Sequence, residues 1–141
     1  MITRTRMFFL TVPIVLSAAV LRAGDVKLIA NPGVGASSIS TDELKRVFLL
    51  EKNTLDDGTR VEPVVVRGGP THDAFLKQYL SKTDLALQTY YRSLVFTGKA
   101  TMPKTLGSEA DVVAYVAKTP GAIGYVSAAA ATARVKILDV R

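Results

Sequence analysis

Six consecutive residues carry most of the chemistry this chain offers: Arg67-Gly68-Gly69-Pro70-Thr71-His72. They follow an unbroken β-branched run, Val64-Val65-Val66, and lead into a helical spacing of Phe75, Leu76, Tyr79 and Leu80. The valine run reads as a strand buried on both faces, the type found in parallel sheets covered by helices. A strand, a glycine turn and a helix start bring several backbone N–H groups, with their partial positive charge, to one point. Gly68 and Gly69 allow a sharp turn and a close approach to a bound group. Thr71 reads as the helix N-cap, and Arg67 supplies a guanidinium able to hold an oxyanion through two parallel hydrogen bonds. The chemistry spelled out is anion binding, with Arg67, Gly68, Gly69, Thr71 and His72 as candidate ligand-binding residues. The same pattern also makes an ordinary strand-to-helix connection that binds nothing, and on these residues alone that plainer reading is favoured.

Other chemistries find little support. His72 is the only histidine and cysteine is absent, so disulfides and thiol chemistry are excluded. One histidine with no suitably spaced carboxylates gives no zinc site, and no metal or cofactor is expected. Just inside a helix start, His72 reads as a solvent-facing side chain. Asp56-Asp57-Gly58 lacks the alternating oxygen ligands and distal glutamate of a calcium loop and reads as a solvated turn. There is no G-x-S-x-G, no P-loop and no Ser/His/Asp spacing. The chain reads as a non-enzyme.

The amino terminus sets the expected compartment. Arg4 and Arg6 precede an apolar stretch from Met7 to Leu21, broken only by Thr11, Pro13 and Ser17, and small residues follow to Ala23 and Gly24. This is the layout of a secretory signal peptide covering residues 1–23; the apolar run is short for a membrane span, and an uncleaved amino-terminal anchor is the less favoured alternative. With no cysteine after it, a lipid anchor is excluded. Removing it takes away Arg4, Arg6 and Arg22 and lowers the net charge from +6 to +3. The remaining domain, residues 24–141, has scattered lysines and arginines with no basic run, which does not favour nucleic acid as a partner. The expected product is a periplasmic or secreted protein, not an integral membrane protein after processing.

The elements that must position the glycine turn follow from pattern. Val26 to Ala30 reads as a first strand. Ser40 and Glu43 form a capping box, with Ile39 stapled to Leu44 and a stripe of Leu44, Val47 and Phe48. Val61 to Val66 is the second strand, and residues 72–80 make the next helix. Thr83 caps another helix with apolar Leu87, Tyr90, Tyr91, Leu94 and Val95, the tyrosines reading as core packing and not as a stacking platform. Gly98 to Gly107 reads as loop. Ser108 and Asp111 open a helix that Pro120-Gly121 ends. Ile123 to Val126 and Val135 to Val140 read as strands, with a single helical turn between them in the alanine-rich Ser127 to Thr132. The expected order is β-α-β-α-α-α-β-β, one α/β domain without repeats. Gly124 interrupts its strand where another backbone is expected to approach.

Taken together the chain resembles a lobe of the substrate-binding protein of phosphate ABC importers, most of all small single-lobe relatives of that family. The similarity runs over most of residues 26–126. It is carried by the helix Ser40 to Leu50 with its loop to Asp57-Gly58, by Val64 to Phe75, and by Phe96-Thr97-Gly98 with Thr119-Pro120-Gly121-Ala122-Ile123-Gly124-Tyr125-Val126. The Gly-Ala-Ile-Gly-Tyr-Val core of that last run is typical of the family. The resemblance implies a type 2 periplasmic binding fold, a single lobe with a mixed sheet flanked by helices. It also implies a solute-binding role with phosphate or another small anion as ligand, and an ABC importer or another envelope protein as partner.

The family's phosphate loop has an Asp and then Gly-Ser-Gly-Thr before the helix. Here Arg67 stands where the acid is expected, Gly69 replaces the serine, Pro70 replaces a glycine and Thr71 keeps its place. One hydroxyl donor and one amide donor are thereby lost. After processing the chain has residues for one lobe, whereas a full binding protein closes two over its ligand. The resemblance therefore implies a weakened anion site or, in the alternative, a non-catalytic envelope interaction module that kept the fold and lost the ligand.

Overall fold

The computed structural model describes residues 25–141, so the expected signal peptide lies outside the described residues. Six strands form one mixed sheet: β1 (Val26–Ala30), β2 (Ser38–Ile39), β3 (Glu62–Val66), β4 (Lys104–Leu106), β5 (Ala122–Ser127) and β6 (Lys136–Val140). Their order across the sheet is β2-β6-β1-β5-β3-β4. β3 runs parallel to both β4 and β5, β2 runs parallel to β6, and β1 is antiparallel to β5 and β6. Val64, Val65 and Val66 are buried, as an all-apolar strand inside a helix-covered parallel ladder requires.

Four α-helices cover the sheet: α1 (Thr41–Phe48), α2 (Pro70–Phe75), α3 (Asp84–Phe96) and α4 (Glu109–Lys118). The two faces are set by alternation in β5. An added Cβ on Gly124 would lie against Val112 and Val116 of α4. The next residue, Tyr125, points the other way and stacks on Phe75 with ring centroids 3.9 Å apart. Phe48 of α1 meets Phe75 edge-on at 4.9 Å. One face of the sheet therefore carries α4, and the other carries an aromatic core shared by α1, α2 and the start of α3.

The local signals act as expected in most places. The Ser40 hydroxyl accepts the Glu43 amide at 3.1 Å, and Ile39 and Leu44 are both buried. The Glu43 carboxylate, however, makes no return bond to the cap. It accepts the Asp56 amide at 2.7 Å and the Lys52 ammonium at 3.1 Å, tying the following loop to α1. Tyr91 is buried with its hydroxyl donating to the Phe48 carbonyl, and Tyr90 donates to the Leu49 carbonyl, so both tyrosines pack as core. Gly58 takes a left-handed φ of 86° in an exposed turn, where Asp57 accepts the Thr59 amide.

Several expectations are corrected. The stretch Gly98 to Gly107 contains β4, a three-residue edge strand paired with Val64–Val66, whose pattern was too short to show alternation. β2 is a two-residue strand held by β6. The helix after the glycine turn begins at Pro70, not at residue 72, and changes at Leu76 to a π-helical turn that ends on left-handed Ser81. Ser127 to Thr132 holds turns and no helical turn. Val95 is 42% exposed and Phe96 93% exposed, so the buried face of α3 is narrower than its apolar residues suggested. No helix of the described residues is long and apolar enough to cross a membrane.

Candidate functional site

The parallel strands β3, β4 and β5 end along one edge of the sheet, and Arg67 to Thr71, Gly107 to Glu109 and Ser127 come together there. The carboxyl ends of parallel strands are the usual binding edge of open α/β sheets. β3 is held at its end from both sides. The Val66 amide donates to the Tyr125 hydroxyl at 3.1 Å, and the Arg67 amide donates to the Leu106 carbonyl at 2.8 Å. Gly68 and Gly69 then take φ values of 68° and 95°. Nothing lies within 4 Å of a Cβ added to either, so the glycines serve the backbone turn and leave open space outside it.

Thr71 is not the N-cap. Gly69 holds that position without a side-chain cap, and Pro70, whose fixed φ suits the first helical residue, starts the helix two residues early. The first intrahelical bond is Asp73 amide to Gly69 carbonyl, 3.0 Å. The amides of Thr71 and His72 precede that bond and have no helical acceptor. Arg67 is exposed. The turn thus carries an exposed arginine and first-turn amides within six residues. The freed Thr71 hydroxyl donates to Glu109 Oε2 at 3.3 Å, and Glu109 Oε1 accepts the Ser127 amide.

His72 is fully buried, which corrects the solvent-facing reading. Its Nδ1 bonds the Tyr125 hydroxyl and its Nε2 lies 2.8 Å from the Asp84 carboxylate. With the Val66 amide donating to Tyr125, the hydroxyl proton is free to satisfy Nδ1, and Nε2–H then donates to Asp84. Burial holds the Tyr125 phenol well above its ordinary value. Both ring nitrogens of His72 are committed to protein partners, so the contribution this residue can make at the turn is its backbone amide. The five predicted site residues lie within six consecutive positions on one turn: Arg67 and Gly69 are exposed, Gly68 and Thr71 are half-buried, and the His72 ring faces the core.

Glu109, Ser127, Tyr125 and Asp84 were not singled out for the site by sequence. Glu109 is a first-turn acid of α4, a position that by itself accounts for an acid there. The link between Tyr125 and His72 joins strand β5 to helix α2 across 53 residues of sequence, which no local pattern records. Among the described residues no group of three or more acidic or histidine side chains is arranged to hold a metal ion.

No known sequence family matches the chain, and no curated protein matches it in sequence. Solved structures do match in fold. A phosphate ABC transporter substrate-binding protein with bound phosphate from Clostridium perfringens superposes with a TM-score of 0.64 and 16% identity, over 82% of this chain and 44% of that one. An ABC-type phosphate transport receptor from Vibrio cholerae gives 0.63 and 13%, over 82% and 46%. PstS from Borrelia burgdorferi gives 0.65 and 16%, over 83% and 47%. The chain spans less than half the length of these proteins, and its mixed α/β architecture is that of a single lobe of the phosphate ABC transporter substrate-binding fold.

Proposed function

We propose that this chain is an exported, non-catalytic solute-binding-like domain of the cell envelope. In this reading it takes a small oxyanion, phosphate first, weakly and at an open site made by Arg67, Gly68, Gly69 and Thr71 with the His72 amide. One observation carries the reading: an exposed guanidinium and helix-start amides without helical acceptors share one glycine turn at the carboxyl edge of the parallel strands. The fold neighbours' names, which speak of phosphate transport and of bound phosphate, support phosphate as the first ligand to try. Periplasmic or secreted location and an ABC importer as partner belong to the same proposal.

A single lobe leaves the anion half in water, where it gains little over its own hydration. The expected dissociation constant is on the order of millimolar, about 4 kcal/mol, and binding weakens with added salt. Phosphate titration followed by the amide resonances of residues 68–73 tests this, with Arg67→Ala as control. Micromolar, salt-insensitive binding would overturn the half-cleft argument and point to a second lobe supplied by another subunit. The second reading is an interaction module without ligand. It is favoured by the outer face of α3, where Leu85 is 75% and Phe96 93% exposed. Amides that stay in place at tens of millimolar phosphate, roughly ten times the expected constant, would leave that reading standing.

A further inference from the structure

The proposed site already contains an anion of the protein's own. Glu109, the first residue of α4, is half-buried and spans the carboxyl edge of the sheet. One carboxylate oxygen takes the Ser127 amide at the end of β5 and the other takes the Thr71 hydroxyl from α2. Three separate elements thus converge on one carboxylate, from distant parts of the chain. Beside it opens a groove of about 470 Å³, lined by Glu109, Val113, Ser127 and the alanines Ala129 to Ala131. We infer that Glu109 is a tethered anion that occupies part of the oxyanion site and sets how weakly a free anion binds there.

Two physical effects follow, and both rest on the proposed reading of the glycine turn. The carboxylate uses the Thr71 hydroxyl, one of the donors a free anion would need, and its oxygens also hold the Ser127 amide next door. Its negative charge repels an incoming phosphate a short distance away, in a setting less well screened than bulk water. Arg67 attracts the ligand from the open side while Glu109 opposes it from the protein side. The site is self-limiting, and its affinity for free oxyanions is held down by a residue that contributes to packing α2 against α4 and β5.

The test uses the exported chain with two variants, Glu109→Gln and Glu109→Ala, and two probes, inorganic phosphate and acetate. The glutamine keeps an acceptor for the Ser127 amide and removes the charge, so it guards against simple unfolding of the alanine variant. Glu109→Gln is expected to bind phosphate about tenfold more tightly than the parent, read at the amides of residues 68–73. In Glu109→Ala, acetate is expected to shift the Ser127 amide and raise the melting temperature, and in the parent to do neither. Unchanged phosphate affinity in both variants, with the Ser127 amide unmoved by acetate, overturns the inference. A parent that binds phosphate while the Glu109 variants change nothing keeps the open site and removes the tethered anion. A parent silent to phosphate whose Glu109→Ala variant takes acetate at Ser127 removes the open site and keeps the tethered anion.

Discussion

Replacing Gly124 with alanine should loosen α4 from the sheet. Gly124 lies in β5, between β1 and β3, in register with Ile29. A Cβ built there comes to 2.8 Å from Val112 Cγ1 and 3.4 Å from Val116 Cγ2. Carbon atoms prefer separations of about 3.5–4.0 Å, so Val112 must retreat by nearly an ångström. It cannot do so by rotation alone, because a β-branched residue in a helix has one strongly preferred rotamer, and both valines are fully buried. The helix itself has to lift. Overpacking of this kind costs about 1–3 kcal/mol, offset by roughly 0.5–1 kcal/mol from replacing a strand glycine. The net loss is about 1–2 kcal/mol, a fall in melting temperature of roughly 5 °C for a domain of this size. Thermal and urea unfolding followed by far-UV circular dichroism measures it. Val112→Ala made together with Gly124→Ala should recover part of the loss, with a coupling of about 1 kcal/mol. An alanine variant as stable as the parent, or two changes that merely add, would refute the account of Gly124 as a seat for α4.

Gly121 has a φ of 79°, and an added Cβ would meet the Arg60 carbonyl oxygen at 2.6 Å, so Gly121→Ala should cost at least about 2 kcal/mol from left-handed strain and the clash together, read by the same unfolding curves. Tyr125→Phe strands the buried Val66 amide and His72 Nδ1 and should cost about 1–3 kcal/mol, more than Tyr91→Phe, which removes a single bond to the Phe48 carbonyl. Burial raises the phenols of Tyr91 and Tyr125 above their ordinary value of 10, so the folded state keeps protons that the unfolded chain releases. Stability is then full below about pH 10 and falls as pH rises beyond it, and Tyr91→Phe should make that fall shallower. Amino-terminal sequencing of the exported protein should begin near Gly24, and an intact Met1 on membrane-bound protein would show that residues 1–23 stay as an anchor.

Local signals were readable where one stretch of chain contained both halves of the interaction. The Ser40, Thr83 and Ser108 caps each accept an amide three residues on, and their helices begin where the sequence placed them. The β3 valines announced a two-sided burial because no polar residue interrupts them. The glycine turn was readable for the same reason, as six consecutive residues. β4 and β2 were not readable, because a two- or three-residue edge strand takes its conformation from its partner and has no period of its own. The fate of His72 was hidden because the partners that bury it, Tyr125 and Asp84, come from other elements. Glu109 was hidden similarly: its helix-cap context accounts for an acid there and says nothing of Thr71 or Ser127. At Gly124 a backbone does approach, the Val64 carbonyl at 3.6 Å, but the tight neighbours are the side chains of Val112 and Val116, and the closest backbone approach is at Gly121.

The run Gly121 to Val126 gains a physical reason from this arrangement. Gly121, three residues after the last residue of α4, makes a left-handed turn that fits under Arg60, and its carbonyl accepts the Glu62 amide at 2.9 Å as β3 starts. Gly124 clears space for α4 on one face. Tyr125, pointing to the other face, reaches through the aromatic core to hold both the last amide of β3 and the histidine of α2. The first and last residues of β3 are therefore fixed by the same six-residue strand region, and the glycine turn begins one residue after the amide that Tyr125 holds. A sequence keeping Gly121, Gly124 and Tyr125 keeps the turn in place whether or not an anion sits on it. Retention of the fold and retention of a ligand are separable here: the strand run secures the first, while in the proposed reading Arg67 and Glu109 set the second.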